Sequence, residues 1–119
     1  MEFYGDSVMN EFERVGQRLT VNVTLPPAAL KAARGACVRV GLLGSDDADR
    51  MVMQVGGHSY QLASGTWFQE IPLRHLPAPG RNTLVFQLLQ RAGTLGERPA
   101  PDQVENRLRV SSVSVVVAK

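Results

Sequence analysis

Apolar and polar residues alternate one for one over much of this chain, the two-residue period of strands that lay one face on a core. Arg18–Leu25 sets Leu19, Val21, Val23 and Leu25 against Arg18, Thr20, Asn22 and Thr24. Val38, Val40 and Leu42 share one parity of residues 36–43, and Met51, Met53 and Val55 carry the next inward face. Residues 67–89 read as a strand, a Pro/Gly corner at 76–81 and a second strand with Leu84, Phe86 and Leu88 on one side. Residues 108–118 are rich in β-branched side chains, but Leu108 and Val110 differ in parity from Val113, Val115 and Val117. A β-bulge near Ser111 and Ser112 reconciles the two halves.

Turn chemistry separates these segments. Pro26 and Pro27 stop one strand, and residues 28–33 offer a helical turn or two closed by Gly35, a short crossover. Gly56 and Gly57 join two alternating segments, a hairpin signal because both residues accept positive φ. About seven or eight short strands at regular spacing predict an all-β, antiparallel sandwich or barrel. Two segments stay open: residues 1–16, an edge strand or an N-terminal arm, and residues 91–107, a long loop rich in Gly, Pro and charge.

Length and composition narrow the function more than they name it. A chain of 119 residues fits a single domain, and 44% apolar with 20% charged residues fits a folded one. The 13 basic and 11 acidic residues are scattered, so the pI near 9.1 brings no basic stripe for nucleic acid. No apolar run approaches the ~18 residues of a membrane span, and the N-terminus lacks the basic start and apolar centre of a signal peptide. The expectation is a soluble chain whose compartment stays open. Cys37 stands alone, which excludes an internal disulfide and paired thiolate ligands and leaves a small strand residue.

From Leu76 to Leu88, the residues LPAPGRNTLVFQL place Leu76, Gly80, Asn82, Leu84 and Phe86 in a corner-then-strand pattern. This resembles a recurring piece of galactose-binding-like jelly rolls, including the sugar-binding domains appended to family 2 glycosidases. DADRMVMQVGGHSYQL upstream resembles the family's V-x-V-N-G hairpin, and RLRVSSVSVVVA its closing strand. The resemblance implies an antiparallel jelly-roll β-sandwich and a non-catalytic binding module, with carbohydrate as ligand. Independently of family, Gly80 permits positive φ and Asn82 can hydrogen-bond the local backbone.

The candidate ligand residues are Trp67, Tyr60 and His58, with Asp46, Asp47 and Arg98 from polar loops. A flat aromatic face covers the C–H patch of a pyranose while polar groups reach its hydroxyls. The competing expectation for Trp67 is core packing, since it shares parity with Ile71 and Leu73, and at least one of Trp67 and Phe68 is expected inside. Asp46, Asp47 and Asp49 supply hard oxygen donors suited to Ca²⁺, but short of a full ligand set, so they read as a solvated turn and no metal or other cofactor is assigned. His58 and His75 show neither zinc spacing nor a nucleophile arrangement, so no enzyme is expected; a hydrolase would need Ser59, Asp49 or Glu70 beside one of them. Asn22 begins a glycosylation sequon that lies mid-strand.

An assembly domain is the alternative function. In it a sheet edge, the N-terminal arm or the loop carrying Arg91, Glu97, Arg98, Asp102, Glu105 and Arg107 docks a protein partner or a second copy of this chain. The Val113–Val117 stretch would serve as an exposed strand for such pairing.

Overall fold

The chain folds as one long antiparallel ribbon, doubled back on itself and rolled. A computed structural model describes residues 2–43, 50–63, 65–90 and 108–119. Among them are eight strands: β1 (Glu2–Glu11), β2 (Arg18–Leu25), β3 (Gly35–Leu43), β4 (Arg50–Val55), β5 (His58–Gln61), β6 (Phe68–Pro72), β7 (Gly80–Gln90) and β8 (Arg109–Ala118). Along the ribbon β1 pairs with β8, β2 with β7, β3 with β6 and β4 with β5, all antiparallel. Rolling sets β8 beside β3 and β7 beside β4. The result is two four-stranded sheets, β1-β8-β3-β6 and β2-β7-β4-β5, the double Greek key of a jelly roll.

Alternation places the core between the sheets. Val38, Val40 and Leu42 meet Val113, Val115 and Val117 from the first sheet, and Val23, Leu25, Met53, Leu84 and Phe86 face them from the second. Each of these side chains, fully buried, is worth about 1.5–3 kcal/mol against exposure. The ladder between β3 and β8 steps from Gly41↔Ser112 to Leu42↔Val110, so Ser111 is the extra residue of a bulge, and the parity change at 111–112 is explained.

The hairpin sits where expected: Val55 pairs with His58 across Gly56 (φ 59) and Gly57 (φ 78), both in the left-handed region of a primed turn. The corner before β7 holds Gly80 at φ 91, and the Asn82 amide donates to the Ala78 and Gly80 carbonyls at 2.8 and 3.3 Å. The crossover is shorter than the sequence predicts. Helix α1 (Pro27–Leu30) is one turn, and Lys31 is already extended, followed by Ala32 at φ 60, so the chain leaves the helix before Gly35.

A correction concerns the valine-rich terminal strand. β8 is paired on both sides, by β1 and β3, so Val113–Val117 presents no free edge. Among the described residues the edges belong to β1 and β6 in one sheet and to β2 and β5 in the other. No helix among the described residues is long and apolar enough to cross a membrane.

Candidate functional site

Trp67 stands just before β6 and is 81% exposed, the most exposed large hydrophobic side chain of the described residues. Phe68, on the outer face of β6, is 54% exposed. Neither packs inside, which corrects the expectation of a buried aromatic there. The physical reason is that the pleat of β6 begins only at Phe68, so the parity that carries Ile71 into the core does not extend to Trp67.

The turn that carries the indole is held by the protein. Leu42 N–H donates to the Trp67 carbonyl at 2.7 Å, tying its backbone to the end of β3. Gln69 reaches back across the turn with its carboxamide. Its Oε1 accepts from Ala63 N–H at 2.8 Å, and its Nε2 donates to the Ala63 carbonyl at 3.1 Å and to Thr66 Oγ1 at 3.0 Å. Sequence reasoning missed Gln69; the available signal was a polar residue at the inward parity of Ile71.

Beside this turn lies the outer face of the β1-β8-β3-β6 sheet. Register places Phe68 opposite Gly41, Glu70 opposite Arg39, and Pro72 opposite Cys37. Arg39 Nε lies 2.8 Å from Glu70 Oε1, an ion pair without the alignment of a hydrogen bond. The guanidinium carbon sits 4.6 Å from the Phe3 ring centroid and 5.9 Å from that of Phe68. Arg39 therefore bridges two exposed aromatic rings across the sheet. An open hollow of about 230 Å³ adjoins the pair, lined by Gly35, Ala36, Cys37, Val116 and Ala118 as well as Arg39 and Glu70. Burial pushes the Cys37 thiol pKa up, the Glu70 carboxylate adds to this, and Arg39 opposes it.

The other sequence candidates fall elsewhere. His58 begins β5 just after the Gly56-Gly57 hairpin, at the opposite end of the sandwich from Trp67. Its ring stacks on His75 with centroids 4.6 Å apart. Tyr60 is only 9% exposed; its hydroxyl accepts from Arg74 N–H at 3.1 Å, and the Arg74 guanidinium lies 4.6 Å over its ring. Arg74 Nη2 also donates to the Ser59 carbonyl at 2.9 Å, so this group latches the segment after β6 onto β5. The structure thus does not bring Tyr60 and His58 together with Trp67. Asp46, Asp47, Asp49 and Arg98 lie outside the described residues. The residues flanking their segments, Leu43 and Arg50, Gln90 and Leu108, lie at the Trp67 end of the sandwich. Among the described residues no three His, Cys, Asp or Glu side chains gather as metal ligands.

No protein-family model and no curated protein matches the chain. Among solved structures it is similar to a family 35 carbohydrate binding module from an environmental isolate, with 12% identity, a TM-score of 0.47, and coverage of 98% of this chain and 93% of that one. It is also similar to the CBM36-1 domain of a multidomain xylanase from the hindgut metagenome of Trinervitermes trinervoides, with 8% identity, a TM-score of 0.44, and coverage of 98% and 90%.

Proposed function

We propose that this domain is a non-catalytic carbohydrate-binding module that seats a sugar ring on Trp67. The observation that carries the reading is the combination of an indole 81% exposed with a turn fixed by Leu42 and Gln69. An aromatic face held ready in water costs little further ordering when a ligand arrives. Phe68 extends the apolar surface, and Arg39 with Glu70 supplies a donor and an acceptor for hydroxyl groups. The motif resemblance to sugar-binding domains of family 2 glycosidases points the same way.

The reading is one of binding rather than turnover, with no catalytic part given to the histidines. His58 and His75 stack on each other, and among the described residues neither is hydrogen-bonded to a carboxylate that would orient it as a base. Titration calorimetry of the domain with soluble oligosaccharides, repeated on Trp67→Ala, tests the proposal. Binding to one sugar class that is lost in the variant supports it, and binding unchanged in the variant removes Trp67 from the account.

One observation favours docking of a protein partner as a second reading. Among the described residues β1 is a ten-residue edge strand, and its Phe3 is 53% exposed. Concentration-dependent association without glycan binding is the outcome that selects it.

A further inference from the structure

The outer face of the second sheet has a different chemistry from the aromatic face of the first. Ladder register lays Thr24 beside Arg81, Asn22 beside Thr83, Thr20 beside Val85 and Arg18 beside Gln87 along β2 and β7. β4 adds Gln54 next to Val85. Arg18, Thr20, Asn22, Thr24, Arg81 and Thr83 are all exposed. Thr83 Oγ1 donates to Asn22 Oδ1 at 2.9 Å, which fixes the Asn22 carboxamide with its N–H groups free to donate outward.

Among the described residues, charge on this face has one sign. Of the acidic side chains that the structure describes, Glu11 ends β1, Glu13 follows it and Glu70 lies on β6, so none is on the β2–β7 track. Among the described residues Arg18 and Arg81 are in no ion pair. They mark the two ends of the track, six strand positions apart, or roughly 20 Å at ~3.3 Å per residue. Between them lie only hydroxyl, amide and one aliphatic side chain.

We propose that this face binds a linear acidic polysaccharide lying along β2 and β7, with an anionic group of the chain at each arginine and its hydroxyls on Asn22, Thr20, Thr83 and Gln87. A guanidinium fork matches a carboxylate in bidentate fashion, and the amides between match neutral sugar hydroxyls. Charge spacing decides against duplex DNA, which carries one charge per ~1.7 Å and calls for a dense cationic stripe. The proposal takes from the carbohydrate reading only the class of polymer; the face is separate from Trp67, and the test distinguishes the two.

The experiment measures binding of polygalacturonate across a salt series, with dextran and a 20-base-pair DNA duplex as comparisons, for the wild-type chain, Trp67→Ala and the double variant Arg18→Gln/Arg81→Gln. Both arginines are exposed strand residues, so the double variant keeps its fold, as circular dichroism checks. The expected result is salt-sensitive binding of polygalacturonate that weakens about tenfold in the double variant and is unchanged in Trp67→Ala. No binding by the wild type, equal binding by the double variant, or DNA bound as tightly as polygalacturonate overturns it. Loss in Trp67→Ala with retention in the double variant also overturns it, while leaving the Trp67 reading intact. Arginine-dependent polygalacturonate binding with no Trp67-dependent ligand supports this face and defeats the Trp67 reading alone.

Discussion

Leu42 donates its main-chain N–H to the carbonyl of Trp67 over 2.7 Å, so the most exposed large aromatic of the described residues stands on backbone anchored beside a core residue that is 2% exposed. That relationship separates the roles of backbone and side chain at position 67. Trp67→Ala removes a side chain that packs on little, so stability shifts by no more than ~0.5 kcal/mol, whereas glycan affinity falls about 30-fold or more, the ~2 kcal/mol of an anchor residue. Denaturant titration beside calorimetry reads both quantities on one variant.

Gln69→Ala reports on the turn rather than the contact surface. It removes three hydrogen bonds that hold Ala63 and Thr66 to β6, so the indole loses its fixed position while remaining present. The expected outcome is weaker glycan binding with a larger entropic penalty, and faster amide exchange at Ala63 than in the wild type. Gln69→Glu keeps the acceptor to Ala63 N–H but loses both donors, and should fall between the two.

Tyr60→Phe tests the opposite end of the sandwich. The hydroxyl accepts from Arg74 N–H at 3.1 Å in a half-buried setting, so its removal leaves that donor unpaired and costs about 1 kcal/mol of stability by thermal or urea unfolding. Glycan affinity at Trp67 should not change, because Tyr60 belongs to the latch between β5 and the segment after β6.

Cys37 provides a chemical reporter for the Arg39–Glu70 pair. Burial foremost, and then the Glu70 carboxylate, raise the thiol pKa, so less thiolate is present at neutral pH and alkylation by iodoacetamide is slower than for a free cysteine. The sign fixes the pH dependence: the rate rises at a higher pH than for an unhindered thiol, and burial of the thiol costs stability only as pH climbs past the ordinary thiol range. Glu70→Gln should move the rate profile to lower pH and Arg39→Gln to higher pH, with burial keeping both above the free thiol.

The strands that the sequence made legible are those with unbroken alternation. β2 matches Arg18–Leu25, the Gly56-Gly57 hairpin joins β4 and β5, and the Ser111 bulge was visible as a change of parity within one valine-rich run. Asn82 was legible as a corner residue because its hydrogen bonds to Ala78 and Gly80 are local. Long-range relationships were not. The valines of β8 read as an exposed edge, yet the strand lies between β1 and β3, a placement fixed by the rolling of the ribbon and not by any local pattern. β1 has no clean alternation to read, and its pairing with β8 shifts register between Ser7 and Asn10.

The candidate site was legible in one residue. Trp67 stands out in the sequence for its ring chemistry, but its exposure depends on where the pleat of β6 begins, which parity does not show. Phe68, Arg39, Glu70 and Phe3 come from three strands, and only the registers of β3 with β6 and of β1 with β8 put them on one face. Tyr60 and His58 carry suitable chemistry in sequence, but the hairpin sends them to the other end of the sandwich.

Intrinsic fluorescence of Trp67, the single tryptophan of the chain, tests the central claim most directly. Emission maximum and acrylamide quenching are read first on the free domain and then across a panel of soluble glycans. The account predicts a red-shifted, readily quenched indole that becomes blue-shifted and protected on addition of one sugar class. A blue-shifted, protected indole in the free domain, or an exposed one that no glycan alters, would contradict it.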